Sequence, residues 1–503
     1  MGPTNYDFAR HTIQDPIHGS ISFGQIEKRI VDHRLFQRLH GLRQNSLLHF
    51  VFPSANHTRF DHSLGVMSIA GRFFDAIINN QLKICSVGQG RKHHKGNYRV
   101  DGKDMLTLIT ELDRQPYFKI VVRSAALFHD IGHGPLSHLF DKFFPSVKEV
   151  LGFLVEPCFE HIRSSLKSIN GQKKSSPITH ELLSCIIATR VLYDICDSLN
   201  DYGIRVEEIV KDVCATIEKQ IPASKKTTSL PYNVATLLRD IISSDLDADR
   251  MDYLMRDSHM CGVNYGLYDQ DRILKSMCAY ATITDGTVRA GVRYSGVGAL
   301  EDLLIARYQM YAQIYGHKTN RACSAMLDTI QEGLRKIGWS WYDGCVSLHE
   351  FLERFAGLDD QKFIGQLLDL KTNGREEHVK DLAANLFLER RLLKRAFEER
   401  VPYTSKDLRR HRRTESRVDQ HIRRLDRARI WNRKEVFLNK GPKIMASSYP
   451  LKVLRKNSAK GWYEVHEAKE FSTVAHYLPE SEKTYRIYAE SKYLQKAKSL
   501  LPR

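Results

Sequence analysis

The sequence has no long hydrophobic run: no stretch approaches the ~20 apolar residues that a membrane-spanning helix needs, so no membrane segment is expected. Its first residues lack the apolar core of a secretory signal, and none of its nine cysteines forms a CxxC pair. Glycine and proline number only 30 and 15 among 503 residues, which excludes a collagen-like or largely disordered chain. These absences predict a folded cytoplasmic protein with reduced thiols.

What the chain does have is an uneven excess of positive charge. Its 76 Lys and Arg outnumber 59 Asp and Glu, a formal net charge of +17. Residues 401–503 hold 25 of the basic residues but 11 of the acidic ones. We therefore predict a basic lobe over 401–503 behind a nearly neutral body over 1–400. The lobe favours an anionic partner such as a nucleotide, a nucleic acid or an acidic protein, and the alternative is a merely solubilising surface.

Helical periodicity dominates the chain. Apolar residues recur at spacings of three and four over Ile26–Leu42, which predicts one helix with a buried face, and Ile120–Phe128 follows the same pattern. Strand signals are few: alternation over Tyr280–Arg293 around Asp285-Gly286 predicts a hairpin, and Lys483–Ala489 is typical of a strand. The expected fold class is mainly α, a helical core with a small β-hairpin and a mixed α/β basic C-terminal lobe.

Histidine and aspartate are concentrated in Ala126–Asp141, ALFHDIGHGPLSHLFD, directly after an apolar helical run. If the helix continued to His133, that residue and His129 would share one face, and Asp130 would reach the same point from the side. Ionisable groups at the end of a buried helix are costly unless they are paired or metal-bound, so we predict a functional site here. The same residue types recur in Asn56–Gly65 (NHTRFDHSLG) and Ser244–Asp257 (SDLDADRMDYLMRD).

These motifs, in this order, resemble the HD superfamily of metal-dependent phosphohydrolases. Within it, the similarity is to the deoxynucleoside triphosphate (dNTP) triphosphohydrolases, the SAM-and-HD-domain branch and its bacterial relatives. The matching phrases are DPIHG at 15–19, FQRL at 36–39, FP-x-A-x-H-x-RF-x-HSLGV at 52–66, HDIGHGPLSH at 129–138, THE at 179–181 and D-x-D-x-x-DY-x-x-RD at 247–257. The resemblance spans residues 15 to about 320, and no motif covers the basic lobe.

The resemblance implies a role for each matching position. The metal ligands would be His62, His129, Asp130 and Asp249. Two His and two Asp form a mixed nitrogen and oxygen set that suits Fe, Mn, Mg or Zn rather than a thiolate site. The active-site histidines around the phosphates would be His133, His138 and His180.

Of these histidines, His138 is the expected general acid on the leaving 5′ oxygen, with Asp141 one helical turn further on to orient it. An imidazole with an ordinary pKa near 6.5 suits proton transfer at neutral pH. The substrate would be held by Arg59, Arg250 and Arg307 at the triphosphate, by Gln44 and Asp257 at the sugar 3′-hydroxyl, and by Tyr253 and Tyr315 against the 2′ carbon.

Regulatory positions of the family match only in part. Asp32 and Gln37 match the guanine-nucleotide site of the animal relatives, three other positions there do not, and His317-Lys318 matches the pair at the neighbouring site. Activation by GTP, by another nucleotide or by none therefore stays open. Because these sites lie between subunits in the relatives, the resemblance implies a homo-oligomer, with a tetramer expected.

The activity implied is hydrolysis of a dNTP to deoxynucleoside and triphosphate, with metal-activated water attacking the α-phosphorus. Two alternatives stay open: an HD phosphodiesterase or nuclease acting on oligonucleotides or cyclic nucleotides, and a non-catalytic nucleotide sensor. The intact ligand set disfavours the sensor, and the triphosphate arginines disfavour the phosphodiesterase. Asn45 and Gly316 stand where close relatives carry Leu and Gln, so base preference is left open.

Overall fold

A computed structural model describes the chain over residues 6–87, 94–95, 98–99, 114–167, 175–218, 232–282, 287–370, 377–402, 408–439, 451–458, 462–477 and 482–501. The helices are α1 (Gln25–Val31), α2 (Arg34–Gln37), α3 (Arg59–Val87), α4 (Gln115–Phe128), α5 (Val147–Phe153), α6 (Glu160–Lys167), α7 (His180–Asp194), α8 (Cys196–Asn200), α9 (Val206–Ile217), α10 (Tyr232–Ile242), α11 (Ala248–Met260), α12 (Gln270–Ser276), α13 (Val297–Gln309), α14 (Lys318–Lys336), α15 (Leu348–Ala356), α16 (Asp360–Leu368), α17 (Glu377–Phe387), α18 (Leu408–Arg427), α19 (Thr473–Tyr477) and α20 (Leu494–Leu500). The strands are β1 (His11–Asp15), β2 (Gly19–Phe23), β3 (His94–Lys95), β4 (Tyr98–Arg99), β5 (Met277–Thr282), β6 (Val288–Arg293), β7 (Lys394–Pro402), β8 (Asn432–Asn439), β9 (Lys452–Asn457), β10 (Trp462–Glu467) and β11 (Glu482–Ala489). The prediction of a mainly α fold is confirmed.

The main core is built around the long helix α3, which packs against α4, α11 and β5. Helix α4 is the most enclosed of these, since every residue from Ile120 to Phe128 is buried. A helix that is apolar on all sides is stable only in such an interior position. Its C-terminal end, where His129 and Asp130 follow, therefore lies inside the protein.

The predicted hairpin strands are confirmed as β5 and β6, although the turn at Asp285-Gly286 lies outside the described residues. They are the middle of a sheet with the order β10-β9-β6-β5-β4-β3, in which β6 and β9 pair in parallel and the other neighbours are antiparallel. The C-terminal strands β9 and β10 thus complete a sheet that begins in the body of the chain.

A second, smaller core lies in the C-terminal region. The antiparallel sheet β7-β11-β8 packs against α18 and α20 around Val401, Val418, Leu425 and Ile487. The strand expected at Lys483–Ala489 is confirmed as β11. The division of the chain at residue 400 stays a prediction.

The single helix expected over Ile26–Leu42 is wrong in its continuity but right in its buried face. Helix α1 ends at Val31, and His33 caps a separate α2 by accepting a hydrogen bond from the Leu35 amide at 3.2 Å. The six apolar residues of the predicted face are nonetheless all buried, namely Ile26, Ile30, Val31, Leu35, Leu39 and Leu42. The periodic pattern therefore indicates which residues are buried, whereas the boundary between α1 and α2 is set by the side-chain cap at His33.

No described helix combines the length and the apolar character needed to cross a membrane. The eight described cysteines are free thiols, as the sequence predicts. The cytoplasmic location stays a prediction.

Candidate active site

Two histidines and two aspartates from α3, the end of α4 and the first turn of α11 face one point. The Nε2 atom of His62 lies 3.1 Å from Asp249 and 3.7 Å from Asp130. The Nε2 atom of His129 lies 3.5 Å from Asp130 and 3.8 Å from Asp249. All four predicted metal ligands are therefore brought together.

The imidazole rings of this cluster are oriented by bonds on their far sides. The Nδ1–H of His62 donates to Asp252 at 2.8 Å, and that of His129 donates to the carbonyl oxygen of Ala126 at 2.7 Å. Both Nε2 atoms are buried and make no hydrogen bond to the described residues. Two buried imidazole nitrogens beside two carboxylates fit a divalent cation, and such outer bonds are usual for metal-binding histidines.

The electrostatics of the cluster agree with this fit. Burial would raise the pKa of Asp130, but Arg59 and the neighbouring histidines hold it well below its usual range. Burial likewise opposes the low pKa of Asp249, and the two cluster histidines outweigh it. Burial lowers the pKa of His62, yet Asp249 and Asp252 raise it to about 10. A cation would therefore meet ionised carboxylates and would have to displace a proton from His62.

The condition under which His129 and His133 would share one helical face is not met, because α4 ends at Phe128. The chain turns away at Gly132, where it passes so close to α7 that a Cβ atom would lie 2.2 Å from the His180 carbonyl oxygen. The Gly132 amide also donates to the Ser184 hydroxyl at 2.9 Å. Only glycine fits this approach, and the turn moves His133 toward a different group of side chains.

The loop that follows is held in an unusual backbone conformation. Leu136 and Ser137 both have positive φ angles, 58° and 60°, which cost about 1–3 kcal/mol each for non-glycine residues. The Leu136 amide donates to Asp360 at 2.8 Å, and the Ser137 hydroxyl donates to the carbonyl oxygens of Arg43 and Gln44 at 3.2 Å. These bonds fix the histidine-bearing loop against the segment that carries Gln44.

Three histidines and one aspartate form a second cluster beside the first. The rings of His133 and His180 stack at 3.8 Å, and the ring of His138 lies 5.0 Å from that of His180. The Asp141 carboxylate lies 3.4 Å from Nδ1 of His138 and 3.6 Å from Nδ1 of His180. Burial, with the nearby charges of Arg59 and His180, holds the pKa of His133 well below its usual range. His138 is the exposed member, with 70% of its side chain accessible.

Both clusters open into a pocket of about 560 Å³. Arg307 lines this pocket while only 2% exposed, and its Nε and Nη1 atoms make no hydrogen bond to the described residues. The Oε1 atom of Gln44, also in the pocket wall, is likewise buried without a donor there. Buried polar atoms are normally paired, so these two residues are set for a ligand with an anionic group and a hydroxyl.

A π-helical segment, Met310–Tyr315, joins α13 to the residues before α14 and brings Tyr311 and Tyr315 to the pocket. Such segments are rare and occur often at functional sites. The Tyr315 hydroxyl donates to Asp257 at 2.5 Å, and its ring lies edge-on to Tyr253 with 6.4 Å between centroids. The two tyrosines form one wall of the pocket.

Comparisons with known proteins find one matching family model and several sequence relatives. Residues 269–485 match the family described as HD associated region. The chain is 31% identical to the uncharacterized protein MJ1154 of Methanocaldococcus jannaschii over 63% of this chain and 48% of that one. It is 28% identical to the human deoxynucleoside triphosphate triphosphohydrolase SAMHD1 over 63% of this chain and 43% of that one. The chain therefore spans about half the length of these relatives.

The chain is similar to HD-superfamily proteins, one of which is a named triphosphohydrolase.

A solved structure supports the fold alone. A hypothetical protein from Aquifex aeolicus matches 98% of this chain and 100% of its own length with a TM-score of 0.62, at 23% sequence identity. The helical body and the C-terminal region are thus both represented in one known fold.

The HD-type residues predicted from the sequence come together with few exceptions. The pocket is lined by Gln44, Arg59, His129, Asp130, His133, His138, His180, Asp249, Arg250, Tyr253, Asp257, Arg307 and Tyr315. His62 lies behind this wall, and Asp141 contacts the histidines from the side. The predicted regulatory residues Asp32, Gln37, His317 and Lys318 do not line this HD pocket.

Three residues of the HD site were not predicted. Asp252 orients His62, His57 bonds Asp257 at 2.7 Å, and Tyr311 lines the pocket. The third acid in DADRMDY was a usable signal for Asp252, since outer carboxylates commonly support metal-binding histidines. Nothing in the sequence marked His57, because its role depends on a partner 200 residues away.

Proposed function

We propose that this protein is a metal-dependent dNTP triphosphohydrolase that releases deoxynucleoside and intact triphosphate through water attack on the α-phosphorus. One observation carries the proposal: His129, whose buried Nε2 makes no hydrogen bond to the described residues, and Arg307, whose buried Nε and Nη1 make none either, line the same pocket. A metal-binding nitrogen pair alone would fit many hydrolases. A buried arginine that has no carboxylate partner among the described residues, in the same pocket, supports an anionic substrate.

His62, His129, Asp130 and Asp249 would hold the cation, which is Fe, Mn, Mg or Zn. When bound, such a cation lowers the pKa of a coordinated water toward ~7 and polarises a phosphoryl oxygen. The two imidazole ligands favour a transition metal over Mg.

The triphosphate is proposed to lie along Arg307, Arg59 and Arg250. Arg59 and Arg250 are anchored by ion pairs to Asp130 and Asp247, so their positions are set before substrate arrives. Arginine suits this task because its planar guanidinium binds phosphate oxygens in pairs. Guanidinium groups that are already in position lower the free-energy cost of holding the four negative charges of the triphosphate in one orientation.

Proton delivery to the 5′ oxygen is assigned to His138, oriented by Asp141. Of the histidine cluster, His138 is the most exposed and can reach a substrate in the pocket. His133 is enclosed and held neutral by its surroundings, which suits it to packing and hydrogen bonding rather than to proton donation. The leaving nucleoside would depart with the proton from His138.

The deoxyribose is assigned to the wall formed by Tyr253 and Tyr315. Asp257 would accept a hydrogen bond from the 3′-hydroxyl beside Gln44. The same carboxylate accepts a hydrogen bond from the Tyr315 hydroxyl, which places it next to the aromatic wall. The aromatic edges would leave no room for a 2′-hydroxyl, which excludes ribonucleotides sterically. We extend the proposal to a homo-oligomer, a tetramer, with two neighbouring regulatory nucleotide sites, one at Asp32 and Gln37 and the other at His317 and Lys318.

Product analysis tests the proposal. The purified protein is incubated with Mn²⁺, Mg²⁺ or Fe²⁺ and with each dNTP and NTP, singly and in mixtures, and the products are separated by chromatography. Deoxynucleoside with intact triphosphate is expected, and mixtures would reveal an activator. Monophosphate with pyrophosphate, or activity only on oligonucleotides, would assign the phosphodiesterase alternative instead; nucleotide binding without turnover would assign the sensor.

The variant His129→Ala should lose bound metal and turnover together. His259→Ala is the matched control, because His259 is an exposed histidine at the end of the ligand-bearing helix α11. Metal content is measured by elemental analysis of the gel-filtered protein. Full turnover in a metal-free His129→Ala protein would remove the metal from the mechanism.

A further inference from the structure

Helix α18, Leu408–Arg427, carries an arginine face that the proposed dNTP chemistry does not use. At about 100° per residue, ten of its positions fall on one half of the helix surface. Eight of the ten are arginine, and the other two are Ser416 and Gln420. We call this the arginine face; its arginines are Arg409, Arg410, Arg412, Arg413, Arg417, Arg423, Arg424 and Arg427, all exposed.

The opposite half of α18 fixes the arginine face toward solvent. Thr414, Val418 and Leu425 are fully buried in the small C-terminal core. The Thr414 hydroxyl donates to Glu399 of β7 at 3.0 Å, and His411 lies 3.3 Å from the Tyr485 hydroxyl of β11. The helix is therefore held by the sheet and cannot rotate its arginines inward.

The acidic residues of α18 do not neutralise this face. Glu415 and Asp419 lie on one flank and pair with Lys434 at 3.7 and 2.8 Å, and Asp426 accepts a hydrogen bond from Asn432 at 2.8 Å. Among the arginines of the face, only Arg417 reaches a carboxylate within the described residues, that of Glu399 at 3.0 Å.

The remaining arginines repel one another. Arg409 and Arg413, and likewise Arg423 and Arg427, stand at the i,i+4 spacing, where like charges destabilise a helix. A fold that keeps such pairs without acidic partners gains stability when an anion covers them. The row from Arg409 to Arg427 extends about 27 Å, which a small anion cannot span.

We propose that the arginine face binds the phosphate backbone of a double-stranded nucleic acid, without sequence preference. A duplex presents one negative charge per ~1.7 Å, so a rigid row of this length meets many phosphates at once. The face has no aromatic side chain, and single-strand binding surfaces depend on aromatic stacking. It also has no apolar side chain, whereas protein interfaces require an apolar centre, so an acidic protein fits it less well.

The test is a fluorescence anisotropy titration of the full chain with a short labelled DNA duplex, its separated single strand and poly-glutamate, between ~50 and ~200 mM salt. The duplex should bind most tightly, with an affinity that falls steeply as salt rises. The substitution set Arg409→Gln, Arg412→Gln, Arg413→Gln and Arg423→Gln should reduce the slope of log affinity against log salt by about 0.9 per lost contact, and lower affinity by ~10²–10³-fold.

A matched control removes the same charge elsewhere. Its substitutions are Arg34→Gln, Arg72→Gln, Arg205→Gln and Arg391→Gln, each an exposed arginine in a surface ion pair. Equal losses in both variants would mean that net charge alone drives binding, and would overturn the proposal. Single strand or poly-glutamate bound as tightly as the duplex would also overturn it. The arginine-face variant should melt at or above the parent temperature, because it loses like-charge repulsion, and a triple variant at Arg410→Gln, Arg424→Gln and Arg427→Gln should repeat the loss of affinity with the remaining arginines of the face that lack a carboxylate partner within the described residues.

Discussion

The Nδ1 atom of His62 donates a hydrogen bond to the Asp252 carboxylate at 2.8 Å. This pairing fixes which nitrogen of His62 faces His129, Asp130 and Asp249. Asp252 is held in turn by Arg256, whose Nε and Nη2 atoms donate to it at 2.8 and 2.9 Å. Gly65 makes room for this arrangement, since a Cβ atom there would lie 1.9 Å from Asp252. The metal-facing geometry therefore depends on residues that would never touch the cation.

The substitution Asp252→Asn tests that dependence. It should weaken metal binding by ~10–100-fold, the usual cost of losing an outer carboxylate. It should also destabilise the protein by about 3–5 kcal/mol, because Arg256 would keep a buried charge with only Asp15 to pair it. Metal content and urea unfolding measure the two effects. Asp271→Asn, in an exposed pair with Arg72, is the control; full metal occupancy in the Asp252 variant would contradict the orienting role.

The substitution His138→Ala should separate proton delivery from binding. Turnover should fall by ~10²–10⁴-fold while metal content and dNTP affinity stay unchanged. In the proposed roles, His138 is neither a ligand of the metal nor one of the residues that hold the triphosphate. Asp141→Asn should produce a smaller loss, since it only orients the imidazole. Steady-state kinetics with equilibrium binding of a dNTP distinguish the steps. A His138→Ala enzyme with parental turnover would assign the acid to another group.

The pair of substitutions Tyr315→Ala and Tyr315→Phe isolates the aromatic wall from its hydrogen bond. Alanine should relax discrimination against ribonucleotides, because the ring that crowds the 2′ carbon is gone. Phenylalanine keeps the ring and loses only the bond to Asp257, so ribonucleotides should stay excluded. Competition between a dNTP and its NTP measures the ratio directly. If the Tyr315→Ala variant excluded ribonucleotides as strongly as the parent protein, the proposed steric role of the Tyr315 ring would be contradicted.

Glu398 predicts a pH dependence of stability in the C-terminal region. Burial raises its pKa, but hydrogen bonds from Arg486 and Arg395 lower it to about 2. Its folded-state pKa is thus below the ordinary value near 4.3, so its contribution is complete above that pH and is lost as pH falls toward 2. Glu398→Gln should lower the free energy of unfolding by about 1–3 kcal/mol at pH 7. It should also make the loss of stability between neutral and acid pH smaller than in the parent protein. Thermal unfolding from acid to neutral pH measures this, with exposed Glu415→Gln as control.

Part of the candidate site could be predicted from one short local motif. His129 and Asp130 could be placed at the end of a buried helix, since the run VVRSAALF before them is rich in apolar residues. His62 and Asp249 were reached only through the ordered resemblance, because no rule of spacing joins residues on different helices. Their convergence within 4 Å is a tertiary fact.

What could not be predicted depends on contacts between distant segments. The break between α1 and α2 is set by the cap at His33, and the end of α4 by the approach of Gly132 to α7. The pairing of β6 with β9 joins strands more than 150 residues apart, and local alternation carries no signal for it. His57 was passed over for the same reason.

The π-helical segment at Met310–Tyr315 has a consequence for how substrate choice can change in this fold. A π turn contains one residue more than an α turn, so deleting a single residue would convert the segment to an ordinary helix. Everything after the deletion would rotate by about 100° relative to α13, and Tyr315 would turn away from Asp257. In the proposed function, sugar selectivity would therefore be coupled to chain length, and the insertion or deletion of one codon would alter it in one evolutionary step.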